Sequence, residues 1–317
     1  MRRPSRAPAS WLMLATVFWG CGFSWAKAAG EGVNAAAGLP PSAAYGQVFV
    51  LAMRFLCGGL IWLALFPASR RGWTWPGFWR ASLAGVVLGV GMLVQHVGLA
   101  QSSVEVSAFL TSLTVLFVPL IGVLFMRKPV AAALWLSVAL STVGIWLLTG
   151  ATPHGFGAGE WLGLACALLF SVYLYVLNVV AARDSAWRVN AGQFVAMGLL
   201  CMLAFACLPH APGVPAHGGF VHLVRAPGVA LNLLLLVVFP TLGSFGLMGF
   251  HQPKITPTRA ALIYMLEPLF AAAYAWVSRG NALSAAEWLG AGLILLANVG
   301  SELRARRAPH LAAESTP

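Results

Sequence analysis

A single acidic residue, Glu267, lies inside the apolar stretch 258–276, and Pro268 follows it directly. At about 1.5 Å per residue, a helix of this length crosses the hydrocarbon core of a membrane. A carboxylate at that depth is costly, so it normally faces protein or water and serves a function there. Because a low-dielectric layer favours the neutral acid, Glu267 is a candidate for proton exchange. The alternative is a structural glutamate that is hydrogen-bonded to a neighbouring helix.

Helical spacing places two tyrosines, Tyr264 and Tyr274, on the same side of this stretch as Glu267. The sequence therefore predicts that this side forms the wall of a cavity. Arg54, in the second apolar segment, is the one basic residue expected at the middle of the membrane. Its guanidinium would bind a substrate carboxylate in a bidentate manner, or it would serve as a counter-ion to Glu267. Either interpretation gives a buried charge the partner that it needs.

Other polar and aromatic residues within apolar segments are further candidates for lining a substrate cavity. They are Trp19, Ser24, Lys27, Gln95 and Thr111. Each has a plainer interpretation: Lys27 extends to the outer membrane interface, Trp19 faces lipid, and Gln95 forms an interhelical hydrogen bond. His96, next to Gln95, would add a charge that depends on pH.

The composition is that of a polytopic membrane protein. Hydrophobic residues make up 60% and charged residues 9% of the 317 residues, with a mean hydropathy of +0.83. A soluble domain carries about 25% charged residues, so this chain cannot build a water-exposed surface. The net charge of +11 comes from short basic clusters between apolar segments, which indicates cytoplasmic loops rather than nucleic-acid binding.

The sequence contains no motif that is typical of an enzyme. It has no HExxH, no GxSxG and no Walker A loop, so neither catalysis nor ATP hydrolysis is predicted. None of its five cysteines forms a CxxC pair, so neither a disulfide framework nor a metal site is indicated. We therefore expect a protein with no metal and no cofactor.

Ten apolar segments predict an all-α fold, because a backbone in hydrocarbon must satisfy its own hydrogen bonds. The first segment is expected to stay in the membrane rather than to be cleaved as a signal. The segments cover residues 11–29, 46–66, 79–99, 105–126, 130–149, 160–181, 190–208, 229–250, 259–278 and 285–303.

The distribution of lysine and arginine predicts the orientation in the membrane. With the N-terminus inside, fifteen of the 19 basic residues fall in inside segments and three fall outside or at the outer interface. Both termini are therefore predicted to be cytoplasmic. The polar tail, residues 304–317, is predicted to be disordered.

The chain also shows signs of an internal duplication. An offset of 153 residues sets Ala108 on Ala261 and Leu113 on Leu266. Five helices is an odd number, so the second copy would enter the membrane in the opposite sense to the first. Inverted repeats of this kind are a recurring transporter architecture with a site near the membrane midplane. The predicted repeats are residues 11–150 and 160–303, joined by a glycine-rich loop.

Three strings give the chain a family resemblance. They are ATVFWGCGFSWAK at 15–27, QHVGLAQSSVEVSAFLTSLTVLFVPL at 95–120 and TPTRAALIYMLEPLFAAAYAW at 256–276. With these strings the chain resembles the EamA-type transporters of the drug/metabolite transporter superfamily. The resemblance covers both predicted repeats, and it implies ten helices in two EamA repeats and the export or exchange of small metabolites.

We therefore predict a secondary transporter in the bacterial cytoplasmic membrane. It would export small polar metabolites such as amino acids by alternating access, with proton coupling through Glu267 as an option. Its partners would be the substrate and lipid but no nucleic acid, and the chain would be a monomer or a homodimer. The alternatives are a membrane structural or assembly protein that does not transport, which would not need Arg54 and Glu267, and an intramembrane enzyme.

Overall fold

A computed structural model describes residues 7–125, 127, 132–149, 157–215, 218–279 and 284–314. This part of the chain is helical, and no strand occurs in it. Two 3-10 turns, Pro67–Ser69 and Gln252–Lys254, and a π-helical segment, Val237–Phe245, connect some of the α-helices. The α-helices are α1 (Ala7–Ala36), α2 (Ala44–Leu65), α3 (Trp75–Gln101), α4 (Val104–Ser112), α5 (Thr114–Leu124), α6 (Ala132–Thr149), α7 (Ala158–Ala181), α8 (Ala186–Ala206), α9 (Gly219–Arg225), α10 (Val229–Leu236), α11 (Gly246–His251), α12 (Pro257–Tyr264), α13 (Glu267–Arg279) and α14 (Ala285–Glu314).

Each of the ten predicted apolar segments coincides with helix in the described residues. Two shorter helical stretches, Trp135–Leu148 and Ala285–Gly300, are also apolar. The described residues contain seven stretches that are long and apolar enough to cross a membrane: Ala44–Leu65, Trp75–Gln101, Val106–Leu124, Ala158–Ala181, Ala186–Ala206, Val229–Lys254 and Pro257–Ser278. The chain is therefore an integral, all-helical membrane protein.

The sequence predicts a disordered tail over residues 304–317, and this stays a prediction. Helix α14 continues to Glu314. Its apolar stretch ends at Gly300, so the rest of α14 continues the same helix with a polar sequence.

The fourth and ninth predicted segments are each interrupted near the middle. In the first half, α4 ends at Ser112 and α5 begins at Thr114, and Leu113 between them has φ −62° and ψ −8°. In the second half, α12 ends at Tyr264, and Met265 has φ −64° and ψ −9° before α13 begins at Glu267. The turns themselves correspond, because the Leu113 N–H bonds to the Leu110 carbonyl and the Leu266 N–H, 153 residues later, bonds to the Ile263 carbonyl, each at 3.1 Å. Thr114 and Glu267 each begin the second part of their segment, 153 residues apart.

The N-terminal caps of these interrupted segments also correspond. The Ser103 hydroxyl accepts a hydrogen bond from the Val106 N–H at 3.1 Å, and the Thr256 hydroxyl accepts one from the Arg259 N–H at 3.3 Å. Such caps satisfy N–H groups that the first turn of a helix leaves free. Cap and break thus recur at the 153-residue offset that the sequence contains.

Several of the main helix–helix contacts recur when the two halves are exchanged. Helix α2 packs on α8, and α6 packs on α14. Helix α3 packs on α7, and correspondingly α1 packs on α10, the π-helical segment and α11. The interrupted helices α4 and α5 pack on α7, just as α12 and α13 pack on α1. A cavity in the middle of the bundle is therefore walled by both halves.

Close backbone approach holds α6 against α14. A Cβ atom added to Gly290 would lie 2.5 Å from the Gly144 carbonyl oxygen and 2.6 Å from the Leu148 nitrogen. Only a residue without a side chain fits at such a crossing.

Polar contacts join loops at the two ends of the bundle. At one end, Arg80 of α3 makes a bidentate ion pair with Asp184, with Nε 2.7 Å from Oδ2 and Nη2 3.1 Å from Oδ1. At the other end, the Gly213 N–H donates to the Ala37 carbonyl at 3.0 Å. The loops after α2 and α7 thus share one end, and the loops after α1 and α8 share the other.

Candidate functional site

A cavity of about 100 Å³ lies between the two halves. Most of its wall is apolar or aromatic, and a few polar side chains converge on it. The residues that line it are Trp19, Gly22, Phe23, Ala26, Arg54, Leu88, Met92, Gln95, His96, Leu99, Thr111, Ser112, Thr114, Phe170, Tyr173, Leu174, Pro240, Phe245, Met248, Ala261, Tyr264, Met265 and Glu267.

Both helix breaks open onto this cavity. Thr111 and Thr114 flank the break in the first half, and Tyr264 and Glu267 flank the break in the second half. Pro268 explains the second break, because it lacks the N–H that would bond to the carbonyl four residues earlier and disfavours helical geometry in the residue before it. The breaks therefore direct polar side chains from both halves to the centre of an apolar bundle.

Arg54 projects from α2 into the cavity wall with only 4% of its surface exposed. Its Nε–H donates to the Thr241 hydroxyl at 2.7 Å, and its guanidinium carbon lies 4.8 Å from the centroid of the Phe55 ring. Within the described ranges, no protein group accepts a hydrogen bond from its two terminal nitrogens. A buried guanidinium with two unoccupied nitrogens is suited to binding an anion.

Glu267, at the start of α13, is half-buried and also faces the cavity. No hydrogen bond and no ion pair within 4.0 Å joins its carboxylate to another residue in the part of the chain that the structure describes. The expected contact with Arg54 is therefore not a direct ion pair, and the alternative hydrogen bond to a neighbouring helix is not formed among these residues. Arg54 and Glu267 face the same cavity as separate charges.

Three further polar atoms in the wall are buried and have no hydrogen-bond partner among the described residues. They are Nε1 of Trp19, Nε2 of His96 and the hydroxyl of Tyr264. Nδ1 of His96 lies 3.0 Å from the Met92 carbonyl, so Nδ1 carries the proton and Nε2 is an acceptor. Leaving such a group unsatisfied costs about 1–3 kcal/mol. The cavity is thus suited to water or a polar solute that would satisfy these groups.

Aromatic packing positions Trp19 in the wall. Its ring meets Tyr264 edge-on at a centroid distance of 5.2 Å and Phe245 at 5.1 Å. On the opposite side, Gln95 donates to the Thr111 hydroxyl at 3.1 Å, which is the interhelical hydrogen bond that the plainer interpretation predicts for Gln95. Gln95 lines the cavity as well as making this bond.

Six of the nine candidates from the sequence line the cavity, and three do not. Lys27 donates instead to the carbonyls of Leu99 and Ser102, at 2.8 and 2.9 Å, at the end of α3. Ser24 is half-buried in α1, outside the cavity wall. The six that line the cavity are Trp19, Arg54, Gln95, Thr111, Tyr264 and Glu267.

Tyr274 is not among the residues that line this cavity beside Tyr264 and Glu267, where uninterrupted helical spacing predicts it. Its hydroxyl accepts a hydrogen bond from Nε1 of Trp25 at 2.9 Å, and Trp25 does not line this cavity either. The expectation assumed a continuous helix, whereas the Leu266 N–H bonds to the Ile263 carbonyl in a tighter turn. This turn shifts the angular register of α13 relative to α12.

Two residues near the charged groups are not predicted from the sequence. Thr114 lines the cavity at the position that corresponds to Glu267, and the 153-residue offset could have identified it. Thr241 holds Arg54 from the π-helical segment. A threonine beside Pro240 in an apolar run carries no pattern that indicates this role.

The comparisons with known proteins agree with this architecture. The model of the EamA-like transporter family matches residues 7–150 and 157–301. A relative from Archaeoglobus fulgidus, described as an uncharacterized transporter, is 26% identical over 239 residues, which are 75% of this chain and 72% of the relative.

A solved crystal structure, described only as that of a protein, has a similar fold. It is 20% identical with a TM-score of 0.68, and the match covers 96% of this chain and 99% of that one. At this identity the likeness concerns the fold alone. The two family matches together span nearly all of the chain, and each covers one of the two halves that meet at the cavity. The chain therefore belongs to the EamA-like transporter family.

Proposed function

We propose that this protein is a secondary transporter of small zwitterionic metabolites such as amino acids, and that the cavity between the halves is its substrate site. The observation that carries the proposal is the pair of oppositely charged groups, the buried Arg54 and the half-buried Glu267, which line one cavity without forming an ion pair. Each charge would gain its partner from a bound zwitterion. Such a substrate offers a carboxylate to Arg54 and an ammonium group to Glu267.

The rest of the wall supports the same substrate class. Its apolar and aromatic residues would contact an apolar side chain, and its small volume favours a small solute over a large molecule. The unpartnered atoms of Trp19, His96 and Tyr264 supply donors and acceptors for the polar end of the substrate.

The proposed mechanism is alternating access in an inverted repeat of ten membrane-spanning helices. It is supported by the recurrence of cap and break at a fixed offset and by the helix–helix contacts that recur when the halves are exchanged. Rocking of the halves around the cavity would expose it to one side and then to the other. The loops after α2 and α7 meet through Arg80 and Asp184, and the basic residues of these loops support a cytoplasmic location for that end and for both termini.

We propose that the direction of transport is export, because the resemblance to EamA-type transporters implies export or exchange. Proton coupling is assigned to Glu267, because a carboxylate at membrane depth without a fixed cationic partner gains and loses a proton at modest cost. Protonation would release the substrate ammonium group, and ionisation would restore its site.

Flux measurements test this proposal directly. Purified protein is reconstituted in liposomes loaded with each of the twenty labelled amino acids, with and without a proton gradient. We expect a subset with apolar side chains to move, and to accumulate against its concentration gradient when protons flow the other way. Folded protein that moves no amino acid would overturn the proposed substrate class. Movement without any effect of the proton gradient would overturn the coupling alone.

A further inference from the structure

Thr241 is the only described side chain that hydrogen-bonds to Arg54. It is fully buried, and its hydroxyl lies 2.7 Å from Nε of Arg54 and 2.9 Å from the Leu236 carbonyl oxygen. Since a carbonyl only accepts, the hydroxyl proton points to Leu236, and the oxygen lone pair accepts from Arg54. Arg54 is therefore the donor and Thr241 the acceptor in this bond, which holds the Nε side of the guanidinium in place.

The π-helical segment brings Thr241 to this position. Pro240 and Thr241 lie within Val237–Phe245, and Leu236 is five residues before Thr241, the spacing of a π-helix. The segment packs against glycines in two helices of the other half. A Cβ added to Gly22 would lie 3.0 Å from Pro240, and one added to Gly58 would lie 2.7 Å from the Thr241 methyl group. These glycines let the segment approach α1 and α2 closely enough for Thr241 to reach Arg54.

Fixing Nε decides which edge of the guanidinium a ligand meets. The guanidinium carbon lies over the Phe55 ring, 4.8 Å from its centroid, and the Thr241 hydroxyl accepts from Nε. The two terminal nitrogens then form the edge that has no protein partner among the residues described, and Arg54 is part of the cavity wall. A guanidinium binds a carboxylate best when two parallel N–H groups meet its two oxygens.

We propose that Thr241 is a positioning and specificity-determining residue, which holds Arg54 so that its terminal edge receives the carboxylate of the substrate. The inference rests on the proposed function, in which Arg54 binds that carboxylate. Because Thr241 belongs to the second half and Arg54 to the first, the bond also ties the anion site to the contact between the halves.

The test compares Thr241→Val, which keeps the shape and removes the hydroxyl, with Thr241→Ser, which keeps the hydroxyl. Ser244→Ala is the matched control. It removes a buried hydroxyl from the same π-helical segment, where Ser244 donates to the Ala15 carbonyl at 2.8 Å and does not line the cavity. Titration calorimetry in detergent measures the dissociation constants of the amino acid that wild type binds most tightly and of its primary amide, which lacks the carboxylate.

We expect Thr241→Val to weaken binding of the amino acid about tenfold, the effect of one impaired charge-assisted contact, and to leave binding of the amide nearly unchanged. Thr241→Ser and Ser244→Ala should keep the wild-type preference for the acid. A structural role alone would weaken both ligands equally or lower the melting temperature without changing the preference, and either result would overturn the inference.

The result for wild type separates this inference from the proposed function. If wild type binds an amino acid and Thr241→Val binds it equally well, the inference alone is wrong. If wild type binds no amino acid, Arg54 is not a carboxylate site, and the substrate class and the inference are overturned together.

Discussion

The two helix breaks share a backbone turn, but the side chains that follow the turns differ: one is neutral and the other is acidic. In the first half, the Thr114 hydroxyl lies 2.7 Å from the Thr111 carbonyl and 3.2 Å from the Ala167 carbonyl, so it is satisfied by the protein. In the second half, Glu267 occupies the corresponding position and has no hydrogen-bond partner among the residues described. Duplication thus supplies one scaffold twice, and the two copies differ where they meet the cavity.

Comparing the halves separates features that stabilise the fold from features that we propose serve a ligand. Features shared by both halves, such as the caps at Ser103 and Thr256, satisfy backbone groups and set the position of the breaks. Features that are not duplicated, namely Glu267 and the contact between Arg54 and Thr241, bring charged groups to the cavity wall. A charge inside the bundle without an ionic partner reduces stability, which is why we propose that these two groups serve a ligand.

The largest expected effect comes from making the two breaks alike in charge. Glu267→Gln keeps the shape of the side chain and fixes it in a neutral state. We expect proton-driven accumulation in liposomes to fall to the level of protein-free vesicles, and exchange of substrate for substrate to weaken as well, because the neutral amide cannot pair with the substrate ammonium group. The melting temperature should stay the same or rise, because the variant removes a half-buried charge that has no ionic partner among the residues described.

Thr114→Val at the corresponding position is the matched control for Glu267→Gln. It removes a hydroxyl whose partners are two backbone carbonyls, so we expect about 1 kcal/mol of lost stability and intact proton coupling. If Glu267→Gln accumulates substrate at the wild-type rate under a proton gradient, the carboxylate is not the coupling site. The two breaks would then be functionally equivalent.

The sequence predicts much of what the two halves share. The 153-residue offset predicted the correspondence of the halves, and the apolar runs predicted their helices, because hydropathy reports directly on the need to satisfy the backbone in lipid. The charged candidates Arg54 and Glu267 stood out for the same reason. Both line the cavity.

The positions of the breaks and their consequences could not be predicted in the same way. Pro268 marks the second break, but no proline occupies the corresponding position in the first half, where Val115 stands. Helical periodicity across an unrecognised break placed Tyr274 on the cavity face, although it bonds to Trp25. The contact of Thr241 with Arg54 spans 187 residues and depends on tertiary packing, which local patterns do not encode.

An intermediate effect is expected where the final helices of the halves cross. Gly290→Ala should destabilise the protein by about 1–3 kcal/mol, because its Cβ would meet the Gly144 carbonyl and neither backbone can move freely. Gly292→Ala, two residues along the same helix, would meet none of the described residues within 4 Å of its Cβ, so stability should be unchanged or rise by about 0.5–1 kcal/mol. Thermal unfolding in detergent compares the two, and equal melting temperatures would show that α6 and α14 are not closely packed.

The smallest expected effect concerns the features that both halves share. Ser103→Ala and Thr256→Ala should each cost about 1 kcal/mol, since each removes one helix cap. If the caps are equivalent, the two variants will shift the melting temperature by similar amounts and leave the affinity for substrate unchanged. A change of affinity in one variant only would show that its cap takes part in the site.

Equilibrium binding to an Arg54 variant tests the central claim most directly. Arg54→Gln removes the cation from the cavity wall, and it retains a side chain that can bond to Thr241. Labelled amino acids are titrated against wild type and against Arg54→Gln, after thermal unfolding has shown that the two proteins have the same melting temperature. We expect saturable binding by wild type and its loss in the variant. Equal affinity of the two proteins for the same amino acid would contradict it.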